Sequence, residues 1–145
     1  MSQSFDFAQA PGHLIRRAHQ IAVSVFAEHL AALGVTPVQF AILNALLDAP
    51  GTDQVTLAAR VAFDAATLGS VIGRLESKGW VRREASPQDR RRKLLWLTPA
   101  GEKAVLAMAP QVAQVQALIL QPLQKSEQQQ LLTLLAKLVS AQTSA

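Results

Sequence analysis

The sequence predicts a mainly α-helical fold with one small β-hairpin, and three observations carry that prediction. Apolar residues recur at helical spacing through most of the 145-residue chain. Pairs that cap or break helices, Thr36-Pro37, Pro50-Gly51 and Thr98-Pro99, cut the pattern into ordinary helix lengths. Between Gly79 and Thr98 the pattern changes to two short extended runs around a cationic loop.

Each element has its own signals. Pro11 and Gly12 precede a long helix from His13 to Leu33, with Leu14, Ala18, Ile21 and Val25 among its apolar positions and Gly34 at its end. Thr36 caps a second helix, whose first turn holds Pro37 where a missing N–H costs nothing. It runs to Ala49 and stops at Pro50-Gly51. A short third helix spans Gln54 to Arg60, with Leu57, Ala58 and Val61 facing inward. Asp64 caps a fourth, Ala65 to Lys78, closed by Gly79 in the left-handed conformation. Trp80–Glu84 and Lys93–Leu97 read as antiparallel strands, and Ser86-Pro87 bends the chain into the loop between them. Thr98-Pro99 opens a helix toward Leu120, with Pro110 a point for a kink. Ser126 with Gln129 predicts a capping box for a last helix through Ser140.

Composition excludes several classes. Half the residues are hydrophobic, enough for a real core, so this is not a disordered basic tail. There is no cysteine, which removes disulfides, thiol redox chemistry and cysteine-ligated metals. No run approaches 18 uninterrupted apolar residues, which argues against a membrane span, and no membrane is expected among its partners. The stretch from Met1 to Gln9 lacks the build of a signal peptide, and a reducing, cytoplasmic setting is expected. No nucleophile–base pair, glycine-rich phosphate loop or metal cluster supports an enzyme, and no cofactor is expected. His13, His19 and His29 are six and ten residues apart, the wrong spacing for two ligands on one helical turn, so no metal is expected either.

The charge points to nucleic acid. From Arg82 to Lys93 there are six basic residues against Glu84 and Asp89, a local excess equal to the net +4 of the whole chain. A compact cationic loop beside a near-neutral body is the footprint of a surface that meets phosphates. Before it, two helices are separated by the four-residue turn Val61-Ala62-Phe63-Asp64, the layout of a helix-turn-helix. On the second of these helices Leu68, Val71, Ile72 and Leu75 form the inward stripe, while Thr67, Ser70 and Arg74 share the other face. Ala65, Ala66, Gly69 and Gly73 leave room there for close approach to bases. With the strand, basic loop and strand that follow, this makes a winged helix-turn-helix. The rival reading is an architectural, nonspecific DNA-binding protein.

The stretch from Gln54 to Gly101 resembles the DNA-binding domain of the MarR family of bacterial transcriptional regulators. Leu57-Ala58, the run Arg74-Leu75-Glu76-Ser77-Lys78-Gly79-Trp80-Val81, and Asp89, Arg91, Leu97, Thr98 and Gly101 carry the likeness. The resemblance implies an Arg91 that enters the minor groove, Thr67 and Ser70 at base edges, and Arg74 on bases or phosphate, with Ala66 a further DNA-binding candidate. Arg90, Arg92 and Lys93 would be phosphate contacts or solvated, with Thr56 a further phosphate candidate. Asp89 would hold the wing by pairing with a neighbouring arginine. The resemblance further implies a homodimer on a palindromic operator, in three parts: an N-terminal dimerisation helix (1–35), the winged domain (36–100) and C-terminal dimerisation helices (101–145).

The opening from Pro11 to Gln20 resembles family members that answer to aromatic carboxylates. It places Arg16, Arg17 and His19 as candidate ligand-binding residues on the first helix, with Val23, Phe26, Phe40 and Leu43 as apolar walls. The functional expectation is a sequence-specific regulator of transcription, a repressor released by a small aromatic acid.

Overall fold

The computed structural model describes residues 4–143; the first three residues of the polar N-terminal stretch and the last two of the chain lie outside the described residues. Six α-helices and three short strands follow in the order α1 (Pro11–Leu30), α2 (Pro37–Asp48), β1 (Thr52–Asp53), α3 (Gln54–Arg60), α4 (Ala65–Ser77), β2 (Val81–Ala85), β3 (Lys93–Leu97), α5 (Pro99–Leu120) and α6 (Lys125–Thr143). Two compact units result. One is Phe26–Val112; the other joins the N-terminal residues up to Val25 with the C-terminal residues from Ala113.

The central unit, Phe26–Val112, owes its shape to local signals. Gly34 takes a left-handed φ of 67° after a single 3-10 turn, which ends α1. Thr36 and Gln39 then form a reciprocal capping box at the start of α2. Asp53 caps α3 and Asp64 caps α4, each accepting from a backbone N–H three residues on. Gly79, at φ 78°, closes α4 while the Trp80 N–H bonds back to the Leu75 carbonyl. Leu30, Ile42, Leu43, Leu46, Leu57, Leu68, Ile72, Leu75, Leu95 and Val105 are fully buried and form the core. The predicted inward stripe of α4 is buried at all four positions, whereas Val61 is only half-buried.

The sheet has one strand more than the sequence predicts. β1 pairs antiparallel with β3, Thr52 opposite Leu95 and Asp53 opposite Leu94, so the order is β1-β3-β2 with the hairpin strand β3 in the middle. Two residues are too few for alternation to announce a strand. In the hairpin, Val81 stands opposite Leu97 and Ala85 opposite Lys93.

Helix α5 runs unbroken through Pro110 and is long and apolar enough, by length and composition alone, to cross a membrane. Its buried residues Gly101, Val105, Met108, Val112 and Val115 recur at alternating spacings of four and three, the stripe of a helix that packs against protein on one side. Gly101 is a requirement of that packing. A Cβ there would stand 2.0 Å from the Trp80 carbonyl oxygen.

The terminal unit is helical. Phe7 packs against His13, the rings tilted by 44° with centroids 4.6 Å apart. The start of α6 differs from the predicted Ser126–Gln129 box. The helix begins at Lys125, and the Gln124 N–H donates to Glu127 Oε1 at 2.9 Å. An acidic side chain one turn in satisfies an orphan N–H better than a neutral amide, which moves the start two residues earlier. Gln128 secures the turn by donating to the carbonyls of Leu120 and Leu123. Leu132, Leu134, Leu135, Leu138 and Val139 on α6 are exposed in the isolated chain, as are Leu14, Ile15, Ile21 and Val23 on α1.

Candidate nucleic-acid interface

Helices α3 and α4, with the turn between them, and the β2–β3 hairpin form one surface of the central unit. The turn is tight because Ala62 adopts a left-handed φ of 57°, which costs a residue with a side chain about 1–2 kcal/mol. The Phe63 N–H returns to the Ala58 carbonyl and so ends α3.

Ala66, Thr67, Ser70 and Arg74 are all exposed on α4, at spacings that put Thr67, Ser70 and Arg74 on one face. Thr67 is less free than its sequence position suggests. Its N–H and its hydroxyl donate to the two oxygens of Asp64, at 2.8 and 2.7 Å. The Thr67 N–H, then its hydroxyl, hold the Asp64 carboxyl below the usual range. What Thr67 can offer a base edge is therefore its methyl group and an acceptor lone pair. Gly69 is half-buried and faces α3: a Cβ there would lie 3.2 Å from Gln54 Nε2, the end of a flexible side chain. Gly73 alone of the two opens onto free space.

The six cations of the basic segment sort into two sets. Arg82 pairs with Glu84 and lies over the Trp96 ring, 4.7 Å from its centroid. Arg83 donates to Glu76 at 2.7 Å and reaches Gln54. Arg92 donates to Asp53 at 3.0 Å. Arg90, Arg91 and Lys93 are exposed and have no ion pair among the described residues. The second set is the one available to phosphates.

The loop that presents them is closed by short bonds. Asp89 Oδ1 accepts from the Arg91 N–H at 3.0 Å, so Asp89 shapes the loop through the backbone rather than through a neighbouring guanidinium. The buried Ser86 donates its N–H to the Arg92 carbonyl at 2.8 Å. Thr56, the phosphate candidate on α3, gives its hydroxyl to Asp53 at 2.6 Å and its N–H to the same carboxylate at 3.1 Å. The Thr56 hydroxyl, followed by Arg92 and the Thr56 N–H, outweighs burial and pulls the Asp53 carboxyl down to about 2. Asp53, Gln54, Val55, Ala65, Arg83 and Lys93 contribute to a cleft of about 240 Å³ between the hairpin and the starts of α3 and α4, which Arg91 and Arg92 also line.

A helix-turn-helix beside a hairpin with free cations at its tip is a DNA-reading surface, and known proteins share it. Residues 33–92 match the profile of the MarR family. The chain is 30% identical to the HTH-type transcriptional repressor NicR of Pseudomonas putida, over 97% of this chain and 89% of that protein. The chain belongs to the MarR family. This MarR-family chain is thus a transcriptional regulator rather than an enzyme, with the winged helix fold. Two solved structures agree along nearly the full length. The PcaV transcriptional regulator of Streptomyces coelicolor, in complex with its natural ligand, is 34% identical with a TM-score of 0.87, covering 97% of this chain and 99% of its own. BpsR of Bordetella bronchiseptica, whose DNA binding is regulated by 6-hydroxynicotinic acid, is 32% identical with a TM-score of 0.89, covering 94% and 98%.

The ligand candidates lie on α1. Arg16, Arg17 and His19 are all exposed. Arg16 Nη2 lies 3.2 Å from His13 Nδ1, and Arg17 donates to Gln20 at 2.7 Å, so the two guanidiniums are engaged along the helix rather than with each other. Of the proposed apolar walls, Phe26 and Leu43 are buried in the core, Phe40 is half-buried and Val23 is exposed.

Proposed function

We propose that this MarR-family regulator is a cytoplasmic homodimeric repressor that binds a palindromic operator and releases it on binding a small aromatic carboxylate. The single observation that carries the DNA part is the free cationic set Arg90, Arg91 and Lys93 on a hairpin beside the exposed Thr67–Ser70–Arg74 face of α4. Arg91 enters the minor groove, where negative potential is focused. Ala66, Thr67 and Ser70 meet base edges, Arg74 takes bases or phosphate, and Arg90 takes phosphate. Thr56 contributes through the end of α3 that it helps to cap, since its own hydroxyl is spent on Asp53. The exposed leucines of α6 and the apolar residues of α1 form the dimer contact, covering surface a lone chain would leave in water. On this reading residues 36–100 bind DNA, while 1–35 and 101–145 dimerise.

The ligand class rests on chemistry. Arg16 and Arg17 are adjacent, and a guanidinium pairs a carboxylate through two parallel hydrogen bonds. The acid that regulates BpsR is an aromatic carboxylate. Its counterpart here would exchange the His13 contact of Arg16 for a full ion pair, with Arg17 and His19 alongside. Coupling follows from differential affinity for the DNA-bound and free states.

Footprinting on the protein's own genomic DNA tests the first part: an operator-sized protected site supports it, and uniform binding to any duplex favours the architectural rival. Calorimetry with benzoate- and hydroxynicotinate-like acids tests the second. Wild type should bind one of them, and Arg16→Ala should bind it at least tenfold more weakly, about 1.4 kcal/mol. Equal binding by both proteins would remove Arg16 from the site.

A further inference from the structure

We infer that Arg92 is a wing-positioning residue: it ties the hairpin loop to the body of the domain through Asp53 and sets how Arg91 meets DNA without touching DNA itself. The inference rests on the DNA reading above and changes the role of a residue that the sequence pattern places among the phosphate contacts.

The geometry carries it. Arg92 Nη2 donates to Asp53 Oδ1 at 3.0 Å, across 39 residues of chain. The Asp53 side chain is only 11% exposed, and both its oxygens are occupied, by Arg92 and by the hydroxyl and N–H of Thr56. Asp53 also sits in β1, paired in register with Leu94, two residues beyond Arg92. Arg92 is held by its main chain as well, its carbonyl accepting from Ser86 and its N–H donating to Asp89. Arg91 immediately precedes it, with its N–H donating to Asp89 and its side chain in no hydrogen bond or ion pair among the described residues.

If Arg92, whose own side chain is 58% exposed, turned to a phosphate, the Asp53 carboxylate would keep only Thr56 as its partner and the loop would lose its side-chain tie to β1. The Asp53 carboxyl, held down to about 2, keeps the pair charged throughout the neutral range. Lys93 and Arg90 have no such obligation. A loop pinned at Arg92 presents Arg91 from a fixed base, so the groove contact is made with less ordering on binding.

The test uses the full chain and its operator, with wild type, Arg92→Gln, Arg92→Lys, Arg91→Ala and the Arg91→Ala/Arg92→Gln double variant. Arg92→Gln should lower operator affinity about five- to tenfold, a coupling in the range of neighbouring residues. The slope of log affinity against log salt should stay unchanged, and in the Arg91→Ala background the same substitution should cost almost nothing more. Arg92→Lys, which can still pair with Asp53, should recover most of the loss. In the free protein the amides of Arg91 and Arg92 should exchange hydrogen faster in Arg92→Gln.

A slope reduced by about 0.9 would make Arg92 a phosphate contact and overturn the inference. So would an equal loss in both Arg91 backgrounds, an affinity unchanged in Arg92→Gln, or loop amides that exchange no faster. Failure of the parent reading looks different: wild type then protects no operator, or Arg91→Ala loses nothing, while the amide exchange still reports on the tie.

Discussion

Gly101→Ala should destabilise this protein although alanine is the better helix former. A Cβ at position 101 would stand 2.0 Å from the Trp80 carbonyl oxygen, 2.8 Å from its carbonyl carbon and 3.0 Å from its Cα. These are backbone atoms that no rotamer change can move, so the start of α5 must lift by roughly 1 Å to restore ordinary contact. Two bonds oppose the lift. The Thr98 N–H donates to that same Trp80 oxygen at 3.0 Å, and the Thr98 hydroxyl donates to the Gly79 carbonyl at 2.5 Å. Each contributes about 0.5–1.5 kcal/mol net, and overpacking of this kind costs about 1–3 kcal/mol. Helix propensity returns about 1 kcal/mol. The balance is a loss of about 1–5 kcal/mol, or roughly 3–15 °C in Tm for a chain of this size.

Gly73→Ala supplies the control, because a Cβ there meets nothing within 4 Å inside α4 and only the propensity gain remains. Urea unfolding at one fixed protein concentration should therefore move the two midpoints in opposite directions. A Gly101→Ala protein as stable as wild type would show that α5 does not rest on the Trp80 carbonyl, and the packing argument would fall.

Arg91→Ala should weaken operator binding at least tenfold, about 1.4 kcal/mol or more, with unfolding unchanged, since its side chain has no hydrogen-bond or ion-pair partner among the described residues; equal binding in a gel shift at moderate salt would remove it from the groove. Ser70→Ala and Thr67→Ala should alter which operator variants are preferred, whereas Arg90→Ala and Lys93→Ala should weaken all sequences alike and flatten the salt dependence; a selection experiment that returns the wild-type consensus for Ser70→Ala would refute the base role. Acid should expose the Asp53 cap. Its folded pKa of about 2 lies below the roughly 3.9 of an unfolded aspartate, so its contribution is full above about pH 4 and is lost as pH falls toward 2. Urea midpoints from pH 6 to pH 2 should fall less steeply in Asp53→Asn, and identical profiles would contradict the assignment.

Elements that depend on neighbours within one turn are legible along the chain. Thr36, Asp64 and Thr98 cap helices because their side chains reach a backbone N–H three residues on. Gly34 and Gly79 end helices because a left-handed residue is cheapest without a Cβ. The buried stripe of α4 follows from 3.6-residue periodicity, and the family signature from Asp89 to Gly101 was legible for the same local reason. Ser126 shows the limit even of local rules, since Glu127 competed for the same helix start and won. Tertiary structure alone decided which cations are free. Arg83 and Arg92 look no different from Arg90 and Arg91 along the chain, yet Glu76 and Asp53 claim them from 7 and 39 residues away. It likewise decided that Gly69 faces α3, that β1 exists, and that Gly101 answers to Trp80. A side chain's partner is fixed by which segments the core brings together, and that sum of distant contacts has no period or spacing for a sequence to display.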